Sequence, residues 1–526
     1  GRSRPVLIAT ALATLTAIGF LWFPGHTFLQ SDTQIYIPIL EHIVNPAVLD
    51  ADPVAVRPHV AFTIYDEIAL TLRRVTGLDF SVILQTQQVI FRALGLLGLF
   101  LIAKRAGLSD VHSLTAAALV SLGATVNGPA VLTVEYEPVP RAFALPLTVL
   151  SAGLLAHERR VSAYASAALA WALHPPTAMP FCVFLAALAV YRRQWLNLAV
   201  LSVGPILIAI SIAGQPVSAE HATLLGRIDP WLEAIQRMRS SYNWVDTWIG
   251  RYWLHFTLLF IASMVGFWRL RHTFGPDLKM FLVALPVIGC LAVPISWLLL
   301  DRMRLFAAAQ YQPCRYLLYL PMLAALSCGI SGLRAASGGR VAEAALFLVV
   351  PFAIPLAPDV TGLSAIHLLL ATCLALIASL GTRFHSAACA VLLAFALYPT
   401  VGHVSNYPAN PATAELNELI GWAKSSTPRE AIFQFADVRR GPEPGVFRAN
   451  AQRAIYADWK GGGQVNFLPE FARLWAERWK QIERPQPLHR YRELGIDFVV
   501  FSSQKSPRNQ PAVYSNHLWT VFRVSK

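Results

Sequence analysis

Charge is scarce in this chain. Of its 526 residues only 14% are Asp, Glu, Lys or Arg, while 55% are hydrophobic and the mean hydropathy is +0.49. Soluble globular proteins carry about a quarter of their residues as charges, so one soluble globule is excluded and a chain that crosses a membrane several times is indicated. Acids are scarcer than bases, 30 against 43, for a formal net charge of +13. In a membrane chain such a surplus is first a signal of topology, so nucleic acid is not the expected partner. Cysteine is also scarce. The six stand at 182, 290, 314, 328, 373 and 389, five within apolar runs, with no CxxC spacing and no disulfide framework. Internal repeats are lacking, and "KGGGQ" is the one low-complexity run.

What is present is a series of apolar runs, nearly all before residue 402. A span takes about 20 apolar residues, fewer with aromatic or snorkelling ends. By that measure spans fall near 5–23, 81–103, 112–127, 141–156, 161–176, 178–191, 196–214, 251–268, 280–300, 315–332, 341–357, 363–381 and 386–401, about 13 transmembrane helices. The first, "PVLIATALATLTAIGFLWF", has no small-residue cleavage site and reads as a retained helix. With the N-terminus inside, the short inside loops are "GRSR", "KRAG", "HERR", "YRRQW", "RLRHTFGPDLK", "RAASGGR" and "GTRFH". Each carries Lys or Arg, as the positive-inside rule requires. An odd number of spans then puts the rest of the chain outside, which in a bacterium with an outer membrane is the periplasm.

The expected organisation is a transmembrane domain over 1–401, with a long first outside loop at 24–80, followed by an extracytoplasmic domain over 402–526. That second part has ordinary composition and holds 17 Lys and Arg against 11 Asp and Glu. "TAELNELIGWAKSSTP" and "PEFARLWAERWKQI" read as helices; "EAIFQFA", "DFVVF", "PAVYSN" and "LWTVFRVS" read as strands. The alternation predicts a small α/β soluble domain. Polar residues gather in the outside loops. Residues 24–80 hold Asp32, Arg57, His59 and Asp66; 128–140 hold "VEYEPVP"; 301–314 read "DRMRLFAAAQYQPC". "RIDPWLEAIQRMRSSYNWVDTW" is amphipathic and Trp-rich, a candidate to lie in the interface.

An acid at the end of the first span, Asp32 in "SDTQIY", a second acidic motif "EYE" in the next outside loop, and an outside tail resemble the C-type (GT-C) superfamily of integral-membrane glycosyltransferases, which take a sugar from a polyprenyl-phosphate carrier on the outer face. "PRAFALPL", "HPPTAMPF" and "DWKGGGQVNF" look like pieces of uncharacterised bacterial proteins of this type. The resemblance covers the whole architecture; its motifs are short. No tail motif resembles the one oligosaccharyltransferase catalytic subunits use for sequon recognition, which counts against protein N-glycosylation. The resemblance implies a GT-C-like fold, a polyprenyl-phosphate sugar donor, a glycan or protein acceptor, and residence in the bacterial inner membrane. Other membrane subunits are a further expectation.

Each candidate residue has a functional and a structural reading. Asp32 is either the base that takes the acceptor's proton or the N-cap of an interfacial helix. Glu135 and Glu137, two apart, share a side of an extended loop and are candidates for Mg²⁺ or Mn²⁺, which favour oxygen ligands; the alternative is a solvated loop, or pairing with Arg141. Arg302, Arg304 and Arg315, with Gln310 and Gln312 among them, offer forked donors for a lipid phosphate, against ordinary snorkelling. His174 lies between apolar runs, where a polar group is costly. Arg57 and His59 are further substrate-binding candidates. Arg453, Lys460 and Gln464 lie in "RAIYADWKGGGQVNF", which lacks the GK[ST] ending of a phosphate loop and reads as a sugar-contacting or a structural loop. The expected function is a membrane glycosyltransferase using a polyprenyl-phosphate sugar; the alternative is a non-catalytic GT-C-like scaffold or assembly subunit. A transporter would place more charge at mid-membrane than Arg92 and a few others.

Overall fold

The structure, a computed structural model, describes residues 3–56, 62–214, 226–356, 363–380, 412–507 and 510–524. Arg57, His59 and the expected span 386–401 lie outside the described residues.

Among the described residues, six helical stretches are long and apolar enough to cross a membrane: Arg4–Leu21, Phe80–Arg105, Trp195–Gly214, Arg251–Leu270, Pro276–Arg302 and Phe306–Ser337. In chain order the helices before residue 381 are α1 (Ser3–Leu21), α2 (Thr33–Val44), α3 (Tyr65–Thr76), α4 (Phe80–Arg105), α5 (Asp110–Ser121), α6 (Pro140–Ala156), α7 (Arg160–Leu173), α8 (Pro175–Tyr191), α9 (Trp195–Gly214), α10 (Pro230–Arg239), α11 (Arg251–Leu270), α12 (Pro276–Ser296), α13 (Phe306–Tyr311), α14 (Tyr319–Ser337), α15 (Val341–Leu356) and α16 (Ala365–Ser379). The chain is a polytopic helical membrane protein, and α14 is its axis, buried along nearly its whole length against α5, α11, α12, α15 and α16. Helices α4 and α6 touch backbone to backbone. A Cβ on Gly98 would stand 2.6 Å from Leu150 N, and one on Gly153 2.6 Å from the Gly98 carbonyl.

Two expectations change. The span expected at 112–127 stops at Ser121, because Thr125–Val126 (β1) pairs antiparallel with Val131–Leu132 (β2) in a hairpin whose turn uses Gly128 at φ +88°. The amphipathic stretch expected in the membrane interface is α10, and its apolar face packs on the C-terminal region, Leu232 joining a core with Val465, Phe471 and Trp475.

Five of the loops expected inside are tied to a neighbouring one by ion pairs: Arg4 and Lys104 with Asp110 (2.6 and 2.9 Å), Arg192 with Asp277, and Arg269 with Glu343 (2.6 Å). Away from these loops lie α2, α3, the β1–β2 hairpin, α10, α13 and the C-terminal region.

That region builds a five-stranded sheet in the order β4-β3-β5-β7-β6 from Ile432–Phe435 (β3), Ala454–Ile455 (β4), Phe498–Ser502 (β5), Tyr514–Ser515 (β6) and Trp519–Arg523 (β7). Strands β4, β3 and β5 are parallel, and β5, β7 and β6 antiparallel. Side chains alternate across it. Phe433, Phe498 and Val500 join a core with Ala414–Ser426 (α17) and Glu443–Ala451 (α18); Val499 and Phe501 join one with Pro469–Ile482 (α19) and Leu488–Glu493 (α20). The second core takes in Ile35 and Ile39 of α2, Val54, Leu300 and Phe306, so loops of the bundle and the C-terminal region share one apolar cluster.

Candidate functional site

Helix α2 begins where the first long loop turns back toward the bundle. Asp32 occupies its N-cap position but makes no capping bond with its side chain. Glu137 caps the helix instead. Its carboxylate accepts from the backbone N–H of Gln30 (2.6 Å), Ser31 (2.7 Å) and Thr33 (3.2 Å), and from the Thr33 hydroxyl (2.9 Å). The helix terminus therefore has its anion, and the Asp32 carboxylate is left to face sideways.

It faces a cavity of about 520 Å³ between the membrane bundle and the C-terminal region. Asp32 Oδ2 accepts from Arg141 Nη1 at 2.9 Å, and Oδ1 pairs with Lys460 Nζ at 2.7 Å. Arg141, at the head of α6, also holds Glu135 through Nε at 2.5 Å. Lys460 comes from the C-terminal region and donates a second bond to the Ser31 hydroxyl at 2.8 Å. Burial pushes the Asp32 carboxyl up, but Lys460 and Arg141 outweigh it and hold the group well below the usual carboxylate range.

Arg239, Tyr242 and Arg315 also line the cavity. Arg315 lies over the Tyr242 ring, 5.1 Å from its centroid, and has no carboxylate partner among the described residues; its Nε is buried without a hydrogen bond. Among the described residues Arg239 donates to the carbonyls of Trp459 (2.7 Å) and Lys460 (3.3 Å) and pairs with no carboxylate. Burial raises the Tyr242 hydroxyl, yet Arg315, Arg239 and a hydrogen bond with Ser240 bring it below its ordinary value. Gln310 is 6% exposed, and neither amide atom has a partner. Gln312, also lining, sits at φ +49° where α13 turns into the chain entering α14. His174 lines the same cavity. Its Nδ1 accepts from the Thr177 backbone N–H at 3.2 Å, which leaves Nε2 to carry the proton of the neutral ring.

The lining bases are Arg141, Arg239, Arg315 and Lys460, and the acids are Asp32 and Glu135, a surplus of two positive charges. The four bases are half-buried, and a surplus of cations in a partly desolvated site favours an anion. A second, apolar cleft of about 80 Å³ between α1, α4 and α6 shares Glu135 and Arg141 with the first.

The structure thus gathers Asp32, Glu135, His174, Gln310, Gln312, Arg315 and Lys460 on one cavity. It takes other candidates elsewhere. Arg304 pairs with Glu233 at 2.6 Å, and Arg302 lies over Trp297 at 4.7 Å. Arg453 is a buried staple that donates to Thr427 and to carbonyls of Ala423, Lys424 and Thr427. Gln464 is fully buried and does not line the cavity. Arg141, Arg239 and Tyr242 are the residues sequence reasoning missed as site residues. Glu135 and Glu137 do not fit a metal pair as placed, one being bonded to Arg141 and the other filled by the α2 cap. Among the described residues no three His, Cys, Asp or Glu side chains gather as metal ligands.

No family model and no curated protein matches the chain. Among solved structures it is similar to ArnT from Cupriavidus metallidurans in the apo state, with 13% identity and a TM-score of 0.41, over 99% of this chain and 97% of that one. It is similar also to ArnT from the same organism bound to undecaprenyl phosphate, with 13% identity and a TM-score of 0.43, over 99% of this chain and 98% of that one.

Proposed function

We propose that the chain is a C-type membrane glycosyltransferase that moves a sugar from a polyprenyl-phosphate carrier to an acceptor hydroxyl. The observation that carries this reading is the pair of uncompensated guanidiniums, Arg239 and Arg315, lining the same buried cavity as Asp32. The donor phosphate binds the guanidiniums through forked, charge-assisted hydrogen bonds, with its chain toward the bilayer. The acceptor oxygen attacks the anomeric carbon as the bond from that carbon to the phosphate oxygen breaks. Its proton passes to Asp32, and the bonding electrons leave with the phosphate. The polyprenyl phosphate goes from one negative charge to two, so Arg239 and Arg315 hold the leaving group more tightly as the reaction proceeds, which is how a preorganised site lowers a barrier. No step is routed through Mg²⁺ or Mn²⁺, because Glu135 and Glu137 have other partners.

Both oxygens of Asp32 are ion-paired, which favours a second reading: a relative that binds the lipid phosphate as a scaffold and transfers nothing. One experiment separates the two. Membranes holding Asp32→Asn are assayed for loss of sugar from a labelled polyprenyl-phosphate pool; the transferase reading expects turnover in the wild type and turnover lowered by about 10²-fold or more in the variant, and equal rates refute it. We further propose the N-terminus in the cytoplasm, the C-terminal region in the periplasm and residence in the inner membrane, because the short loops at one end carry the Lys and Arg. A reporter fused after Lys526 that works only in the cytoplasm refutes that orientation.

A further inference from the structure

We propose that Lys460 is a positioning residue that lets go of Asp32 when an anionic lipid headgroup enters the cavity. The inference rests on the glycosyltransferase reading. A carboxylate bridged by two cations is a poor proton acceptor, so one of them has to leave before Asp32 can serve as a base. The two cations are not equivalent. Arg141 is fixed at the head of a packed helix and tied to Glu135 as well as Asp32. Among the described residues Lys460 holds no second carboxylate; its other partner is a serine hydroxyl, and its side chain is 23% exposed. It is a point charge on an unbranched stem, able to turn without the backbone moving.

The backbone beneath it is held. Two residues earlier, Asp458 is buried against Arg448, which also bonds Asp52 of the first long loop at 2.7 Å. Two residues later, a Cβ on Gly462 would stand 2.4 Å from the Trp475 ring, and one on Gly463 would stand 2.9 Å from Ile35. Arg239 bonds the Lys460 carbonyl itself. The loop delivers the ammonium to one place and leaves only the side chain to move.

Other charged or titratable groups also face Asp32. Tyr36 stands on its own helix, Tyr136 and Glu137 on the loop before α6, and His174 between α7 and α8. Arg239 and Tyr242 face it from α10 and the turn after it. Of the two cations that contact Asp32, Lys460 is the one an arriving phosphate can draw off at little cost.

The test is a proton count on binding. Farnesyl phosphate is titrated into the full-length protein in nanodiscs at mildly acidic pH, by calorimetry in two buffers of different ionisation enthalpy. Asp32→Asn supplies the baseline that removes the probe's own ionisation. Releasing Asp32 from Lys460 raises its affinity for a proton, so the wild type takes up a larger fraction of a proton than Asp32→Asn. In Lys460→Met the carboxylate is already released, and the excess over its own Asp32→Asn double variant falls by at least half. Lys460→Arg, which restores the charge, restores the excess. Equal proton counts in wild type and Asp32→Asn overturn the inference while the lipid reading stands. An excess that persists in Lys460→Met overturns it as well. Absence of farnesyl phosphate binding overturns both.

Discussion

Asp458 and Lys460 stand two residues apart and belong to opposite kinds of ionic site. Asp458, Arg448 and Asp52 form a buried set whose carboxylates are filled, while Arg448 Nη1 has no hydrogen-bond partner among the described residues. The three side chains are at most 2% exposed, and the carboxylate oxygens also accept backbone N–H groups of Val54, Ala55, Ile455 and Gly461. Lys460 belongs to a set with more cations than anions, around a cavity, with polar atoms of Arg315 and Gln310 left without partners. The first set is almost fully buried, whereas Asp32, Arg141 and Lys460 are each 21–25% exposed around the cavity; the first has its carboxylates filled by donors, the second a surplus of cations. A filled network holds pieces of chain together, here the first long loop and the C-terminal sheet region. In the reading proposed above, an unfilled one at a cavity takes its partner from outside.

The sharpest way to break the comparison is to empty the filled site. Arg448→Met leaves two buried carboxylates facing each other, which costs about 3–5 kcal/mol. We expect lost thermal stability and early proteolytic release of the C-terminal region; a melting temperature equal to wild type would make the network ornamental. Next is Asp32→Asn, expected to leave the melting curve close to wild type while lowering transfer by about 10²–10⁴-fold, the usual contribution of a positioned base. Activity retained in the variant would assign Asp32 to charge balance alone. Arg315→Gln should separate binding from stability. Each charge-assisted hydrogen bond is worth about 1.5–3 kcal/mol, so carrier affinity should fall by about 10- to 100-fold while stability holds, because the half-buried Arg315 has no acid partner among the described residues to lose. A variant that melts early and binds normally would invert the assignment.

How much of this was legible before the fold depended on how far apart the partners lie. The spans are local apolar runs, and α4, α9, α11 and α12 follow them closely. Asp32 and the "DRMRLFAAAQYQPCR" segment were legible because acids and arginines stand out at membrane ends. The division of labour within that segment was not, since Arg304 finds its acid on α10 and Arg302 stacks on Trp297, while Arg315 alone faces the cavity. Glu137 reads like half of a metal pair until the N-terminus of α2, over a hundred residues earlier, takes both its oxygens with four hydrogen bonds. Arg239 and Tyr242 sit in a stretch whose amphipathic period points to a membrane surface. What redirects it is the apolar face of the C-terminal region, which no local pattern reveals.

A smaller effect extends the comparison to a third buried acid. Asp66 on α3 is pushed up to about 8 by burial and by neighbouring Glu67, and its Oδ1 has no hydrogen-bond partner. Its pKa in the folded state lies above the unfolded value of about 3.9, so its contribution to stability is full below that value and is lost as pH rises toward 8. Asp66→Asn removes the loss. The variant should melt within error of wild type near pH 4 and a few °C higher at pH 8; a gap that does not change with pH would contradict the assignment.

The central claim is that the cavity holds a lipid phosphate through arginines left without counterions. Binding of an isoprenyl phosphate to wild type, Arg315→Gln and Arg302→Gln in nanodiscs tests it most directly. The account predicts affinity lowered about tenfold or more in Arg315→Gln and unchanged in Arg302→Gln. Equal affinity in Arg315→Gln and wild type, or equal losses in the two variants, would contradict it.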